Sequence, residues 1–230
     1  MKVWDYYGRN DPYYGVMSAP EFKSGRVDDA TLQLFFSSGV ADVAECIEIA
    51  QRSFGPLHFA TALDYGCGVG RLSRPLAERF SRVIAVDLSQ DMLERARQGL
   101  QGLNVSYESA GSMTAERTNF ILSRMVFQHI PPSIGVPILS KLAARLDGTG
   151  IIEVPIRDKA SALRRALRIG RRVVKSALPL GAPTIPMYTY DLERAVAALE
   201  GCTVKVERLD TPMFEQARLI FHSMSSAHKH

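Results

Sequence analysis

Hydrophobic and polar positions along the chain switch between two periods. Short apolar runs of strand length occur at 59–65 (FATALDY), 82–87 (RVIAVD), 105–108 (VSYE), 119–123 (NFILS) and 150–156 (GIIEVPI), separated by segments of helical spacing. That alternation predicts a parallel sheet with helices on both faces. Gly70–Phe80 reads as the first crossover helix, Ser89 caps a second through Gln98, and Pro131 or Pro132 opens a third through Leu146. Upstream, Asp28 or Asp29 caps a helix through Phe36, and Gly39 reads as a break before a second helix, roughly Val40–Arg52. Downstream, Asp191 starts a helix ending near Glu200–Gly201. Thr203–Leu209 and Arg218–Met224 then form an antiparallel hairpin around DTPMFEQA.

The chemistry concentrates in ALDYGCGVGR (62–71) and in Asp87 at the end of the second strand. Gly66, Gly68 and Gly70 alternate between a strand and a helix, where backbone must turn tightly and approach a ligand that a Cβ would exclude. A carboxylate closing the next strand can accept both hydroxyls of a ribose. A nucleoside site follows. Diphosphate-binding turns typically use G-x-G-x-x-G; here the glycines run G-x-G-x-G with Asp64 two residues ahead. A carboxylate there repels a diphosphate and attracts a cation. S-adenosylmethionine, with an ammonium, a sulfonium, a ribose and no phosphate, suits Asp64 and Asp87 together.

The segment DYGCGVGRLSRPLAERFSRVIAVDLSQDMLERAR resembles the class I S-adenosylmethionine-dependent methyltransferases, and SRMVFQHIPP resembles the segment after the fourth strand in their small-molecule branch. The resemblance implies an α/β, doubly wound, Rossmann-like sheet, mostly parallel with the last strand antiparallel. N-terminal helices precede it and a basic helical insertion follows the fifth strand. It implies S-adenosyl-L-methionine as cofactor, S-adenosyl-L-homocysteine as product and no metal. By resemblance Asp64, Gly66, Gly68 and Gly70 line the methionine half, Asp87 the ribose, and Leu88 and Met92 the adenine side. Where family members often carry an acid near the adenine amine, Ala110 stands here; Gly111, Ser112 and Met113 are expected to serve through backbone and apolar contact. Asn119 likewise stands where the family often begins its fourth strand with Asp. Ser123 and Arg124 fall at the carboxyl edge of the sheet, where open α/β sheets bind ligands. His129 just beyond is the candidate general base, since neutral imidazole accepts protons near pH 7; the plainer reading is a histidine that bonds a neighbouring loop and shapes the pocket. Gln128, Tyr188, Tyr190 and Tyr14 are expected on the acceptor side.

At 230 residues the chain is read as one domain: an N-terminal cap (1–57), a cofactor-binding core (58–156), a basic insertion (157–188) and a C-terminal helix and hairpin (189–230). Trp4, Tyr6, Tyr7, Tyr13 and Tyr14 crowd the cap, so it is expected to fold over the cofactor cleft. No apolar run reaches the roughly 18 residues of a membrane span, and the N-terminus lacks a secretory apolar core. Cys46, Cys67 and Cys202 are odd in number and scattered, which fits reduced core residues in a cytoplasmic protein.

The net charge of +4 is uneven: residues 157–175 carry eight Lys and Arg against Asp158 alone, which leaves the remainder at −3. Leu163, Ala166, Leu167, Val173, Val174 and Ala177 recur at helical spacing, so the insertion reads as an amphipathic helix with a cationic face. A solvated face is the default for such a run. Docking of an acidic or phosphate-bearing acceptor, or of anionic lipid, are the functional readings. Nucleic acid is disfavoured, because no aromatics interleave with the arginines. The expected activity is methyl transfer to a small-molecule or glycan-like acceptor at oxygen, an atom favoured through His129. The alternatives are N-methyl transfer, a lipid-directed enzyme at a membrane surface, a non-catalytic S-adenosylmethionine-binding protein and a nicotinamide oxidoreductase.

Overall fold

A computed structural model describes residues 3–160 and 181–224. Seven strands form one sheet: β1 (Thr61–Tyr65), β2 (Arg82–Asp87), β3 (Val105–Ser109), β4 (Thr118–Ser123), β5 (Leu146–Asp158), β6 (Cys202–Asp210) and β7 (Phe214–Ser223). Their order is β3-β2-β1-β4-β5-β7-β6, with β1 to β5 parallel and β7 antiparallel to both β5 and β6. The order reverses between β1 and β4, and such switch points open a crevice at the carboxyl ends of the strands.

Helices cover both faces, which is why the inner strands read as unbroken apolar runs. Side chains alternate between the faces. Leu63, Ile84, Ile121 and Ile152 pack against Leu139 and Leu142 of α6 (Pro132–Arg145) and Ala195 of α7 (Leu192–Ala197). Their neighbours Ala62, Val83, Leu122 and Ile151 pack against Val43 and Ile47 of α3 (Asp29–Phe54) and Leu76 of α4 (Ser73–Ala77). Residue 64 shares the face of Ala62, and residue 65 that of Leu63. This parity directs the site.

The expected break at Gly39 does not occur. Helix α3 runs unbroken through it for 26 residues, capped by the Asp28 side chain on Thr31 N–H. A Cβ at Gly39 would overlap the Arg71 carbonyl, so the glycine serves a close helix-to-turn approach. Helix α4 is shorter than expected because Gly70 has φ +87° and the chain stays in turns until Ser73. Strands β5 and β7 are longer than their apolar runs; Glu215 and Gln216 pair with both β5 and β6 and Phe214 with β5, which leaves only Thr211–Met213 as the turn. Helix α7 ends at Ala197, before Glu200. The expected basic helix over 161–180 and the terminal SSAHKH lie outside the described residues. No helix among the described residues is long and apolar enough to cross a membrane.

Two shorter helices, α1 (Val3–Asn10) and α2 (Pro12–Val16), lie over α5 (Gln90–Gly99). Arg9 pairs with Asp91 at 3.0 Å, Arg95 Nε donates to the Gly8 carbonyl at 3.0 Å, and Tyr7 Oη donates to the Pro183 carbonyl at 2.9 Å. The close approach at Gly39 is directly testable. Gly39→Ala gains about 1 kcal/mol of helix propensity but meets backbone, a clash typically costing about 1–3 kcal/mol. Urea titration is expected to show net destabilisation, and a more stable variant would remove the packing role.

Candidate active site

The carboxyl ends of β1, β2 and β4 open into a cavity of about 580 Å³, of ligand-binding size. Its floor is the turn after β1. Gly66 and Cys67 both donate their N–H to the Val86 carbonyl of β2, at 2.7 and 3.0 Å. Gly68 (φ +54°) donates to Asp87 Oδ2 at 2.9 Å, and Gly70 to the Cys67 carbonyl at 2.9 Å. A Cβ on Gly68 would overlap Val16 of α2, so the glycine lets the cap reach the turn. Asp87 Oδ1 accepts from Ser89 N–H at 2.9 Å. Each carboxylate oxygen thus spends one lone pair on the backbone and keeps another for a ligand hydroxyl. Burial raises the Asp87 pKa, and the amide donors oppose that rise.

Leu88, Met92, Ala110 and Gly111 line the cavity beside Asp87, and Trp4, Gly15 and Val16 close it from the cap. The expected fold-over of the N-terminal segment is therefore present. Across the cavity stand Arg124, Met125 and Val126 at the end of β4, followed by one stripe of α6. That stripe is Ile134, Pro137, Ile138 and Lys141, which are three, four and seven residues apart and so share a helix face. Met125 has φ +60°, the left-handed region where a non-glycine residue carries strain.

His129 lines the cavity with its ring edge against Trp4, the centroids 4.9 Å apart. Its Nδ1 lies 2.8 Å from the Pro186 carbonyl, which can only accept, so the proton sits on Nδ1. Its Nε2 lies 3.1 Å from the Gln128 amide nitrogen, which can only donate, so the Nε2 lone pair is already used. Burial lowers the pKa of the ring below its ordinary value and the Pro186 bond opposes this, so the ring is neutral.

Behind Arg124 lies a cluster of charges that runs from buried Glu153 and Arg218 out to exposed Glu45. Arg124 Nη1 reaches Asp42 at 2.8 Å and Glu45 at 3.2 Å, while its Nε lies 3.1 Å from Glu153 without hydrogen-bond alignment. Asp42 also takes Arg71 Nη1 at 2.6 Å, and Glu153 takes Arg218 Nη2 at 3.0 Å. Arg71 and Arg124 line the cavity; the acids stand behind them.

Of the residues expected from sequence, Gly66, Gly68, Asp87, Leu88, Met92, Gly111, Arg124 and His129 are brought together here. Asp64 is not in the lining. It shares the Ala62 face, is 1% exposed, and accepts Ser73 Oγ at 2.6 Å beneath the turn. Gly70 packs on Leu100, Ser123 Oγ bridges to the Tyr65 carbonyl at 2.9 Å, Ser112 is exposed on its loop, and Met113 packs on the core. Tyr14 packs among the cap aromatics. Gln128 is buried against His129, and Tyr190 is 3% exposed with its hydroxyl on the Ile130 carbonyl at 2.8 Å. Tyr188 lines a separate open depression with Arg157 and Phe214. Sequence reasoning missed Arg71 and the α6 stripe, and named Trp4 only among the cap aromatics. The spacing of 134, 137, 138 and 141 was the available signal, and it reads equally as a core-facing stripe. Among the described residues no group of His, Cys, Asp and Glu is arranged to hold a metal.

A methyltransferase-domain family model matches residues 62–150, the span from β1 to the start of β5. Residues 62–150 therefore carry a methyltransferase domain, and the fold is that of the class I S-adenosylmethionine-dependent methyltransferases. It is 31% identical to a trans-aconitate 2-methyltransferase of Methylobacterium radiotolerans over 60% of its own length and 57% of that protein's, so it spans little more than half of that curated relative. In fold it is similar to magnesium protoporphyrin IX methyltransferase of Synechocystis with bound S-adenosylhomocysteine (TM-score 0.63, 20% identity, 96% and 98% of the two chains). It is also similar to the N-methyltransferase NodS of Bradyrhizobium japonicum (TM-score 0.61, 14% identity, 96% and 97%). The sheet order and the reversed β7 agree with this methyltransferase family.

Burial raises the Asp64 pKa from 3.8 to about 6, partly offset by the Ser73 hydroxyl. The folded protein therefore binds this proton more tightly than the unfolded chain, so Asp64 costs stability as pH rises from about 4 to about 6. Above that range the cost is constant, on the order of 3 kcal/mol. Asp64→Asn still accepts the Ser73 hydroxyl. In ligand-free denaturation it is expected to exceed wild type in stability at pH 8 and to lose that advantage near pH 4.5.

Proposed function

We propose that the chain transfers the methyl group of S-adenosylmethionine to an oxygen of a small-molecule acceptor. The observation that carries this reading is the turn itself: the N–H groups of Gly66, Cys67, Gly68 and Gly70 are consumed by Val86, Asp87 and Cys67. A diphosphate needs such amides free, whereas a nucleoside without phosphate needs only the spare lone pairs of Asp87. In this reading Asp87 accepts the ribose hydroxyls. Leu88 and Met92 flank the adenine beside Ala110 and Gly111, and Gly66 and Arg71 border the methionine tail. Asp64 acts on the cationic tail through the turn by its charge, and Ser123 acts by fixing β4 to β1. The methyl group is supplied by the bound sulfonium, and the protein's part is alignment and exclusion of water.

The acceptor half lies between Trp4, Met125 and the α6 stripe. Its isoleucines and proline favour an acceptor with an apolar body over a glycan-like one, and its open space beside the cofactor half favours an enzyme over a non-catalytic binder. The cap (1–57) closes the cofactor half and the core (58–156) carries it, with the insertion (157–188) and the C-terminal part (189–230) completing one domain. We assign the activity to the cytoplasm, a reading supported by three free cysteines.

Calorimetry with S-adenosylhomocysteine is expected to show one site. Asp87→Ala removes a charged hydrogen-bond acceptor typically worth about 1.5–3 kcal/mol, so affinity should fall roughly ten- to a hundredfold. Tight binding of a nicotinamide dinucleotide with none of S-adenosylhomocysteine would overturn the reading.

A further inference from the structure

Among the described residues, the cavity holds cations but no free base. Six titratable or permanently charged groups besides Asp87 line the cavity: Tyr65, Cys67, Arg71, Arg124, His129 and Lys141. Burial pushes the Tyr65 and Cys67 pKa values upward, so both stay protonated. Asp87 is turned to Gly68, Ser89 and, in the reading above, a ribose. His129 donates from Nδ1 to Pro186 and accepts at Nε2 from Gln128, which leaves no lone pair for a substrate proton. Among the described residues, an alcohol or phenol acceptor has nothing here to take its proton.

The charges that remain favour an acceptor already deprotonated. Arg124 is held from behind by Asp42, Glu45 and Glu153, none of which lines the cavity. Lys141 is exposed at the outer end of the α6 stripe and makes no ion pair among the described residues. Apolar walls matter as well. A sulfonium and a carboxylate annihilate their charges on reaction, and a low-dielectric cavity favours the less charged transition state over the separated ions. A neutral amine acceptor only relocates the positive charge and gains no such help.

We infer that the acceptor is a carboxylic acid with an apolar body, bound as its carboxylate between Arg124 and the α6 stripe and converted to its methyl ester without a general base. This inference rests on the methyl-donor reading above. In the step, a carboxylate oxygen lone pair forms the bond to the methyl carbon as the sulfur–methyl bond breaks. The bonding pair goes to sulfur and no proton moves. Both products are neutral at the reacting atoms, so the cations that draw in the acid do not retain the ester.

The test uses the full chain with methyl-labelled S-adenosylmethionine and matched acceptors: octanoic acid, octanol and octylamine, and cinnamic acid, cinnamyl alcohol and cinnamylamine. At least one acid is expected to turn over tenfold or more faster than its alcohol and amine partners, and mild alkali should release the label as methanol. The rate between pH 6 and 9 should vary less than threefold, because the acid is ionised throughout. Lys141→Glu should lower kcat/KM for the acid about tenfold at low salt without changing S-adenosylhomocysteine affinity. His129→Asn keeps the donation to Pro186 and should retain turnover within tenfold, where loss of a true base costs roughly 10²–10⁴. Alkali-stable label, preference for the alcohol or amine, no turnover of any acid, or a loss beyond a hundredfold in His129→Asn with cofactor affinity intact would each overturn the inference. Intact S-adenosylhomocysteine binding in any of those cases leaves the methyl-donor reading standing; its absence sinks both.

Discussion

The site depends on how the end of β2 captures the turn that follows β1. The Val86 carbonyl takes two amides, and the Asp87 carboxylate takes a third from Gly68. Three glycines with positive φ make that capture geometrically open, since L side chains are strained in this region. The arrangement has two consequences at once. It ties the switch point of the sheet together, and it spends the donors that would otherwise cradle phosphate. A carboxylate that anchors the turn with one lone pair per oxygen still faces the cavity with the others, so in the proposed reading the same residue braces the fold and presents the ligand contact.

Charge is then distributed by depth. Asp64 lies beneath the turn, and burial there is unfavourable for its ionised form, offset in part by the Ser73 hydroxyl and the Arg71 charge. Asp42, Glu45 and Glu153 lie behind the cavity wall, where Arg71, Arg124 and Arg218 answer them. Breaking one partner of the buried Glu153–Arg218 pair is far more costly than never having it, because the remaining charge stays desolvated. The arginines are therefore fixed in direction before any acceptor arrives, which is what orientation of a reacting group requires. Helix α3 supplies two of the acids and also lies hard against Arg71 at Gly39, so a helix far from the glycine turn in sequence sets its geometry.

The strands and the place of Asp87 at the cavity were legible because each rests on a local rule. Apolar runs between glycines gave β1, β2 and β4, and a strand-ending acid gave Asp87. What failed were positions whose role depends on parity or on contact across the fold. Asp64 was read as facing the ligand, but strand alternation sends residue 64 to the α3 and α4 side and residue 65 to the cavity. Gly39 was read as a helix break because nothing in its neighbours announces the Arg71 carbonyl. Tyr190 was read as an acceptor contact, yet its hydroxyl is spent on Ile130 over Gly135, a pairing between segments sixty residues apart. The cap was legible only in outline: aromatic density predicted that it covers something, and not that Trp4 would meet His129.

His129 shows why residue type is a weak guide to chemistry. A histidine beyond the fourth strand invites assignment as a base, and its neutral state agrees with that role. A base needs a free lone pair as well as the right charge, however, and both ring nitrogens are engaged with Pro186 and Gln128. Their geometry makes the ring a strut: it fixes the segment after Pro183 against the 3₁₀ turn Phe127–His129 and supports Trp4 at the cavity wall. Once proton removal is taken out of the site, selectivity must come from the acceptor's own ionisation state and from how well its body matches the α6 stripe. In the proposed reading, oxygen as the acceptor atom rests on cations and apolar walls, with no base required.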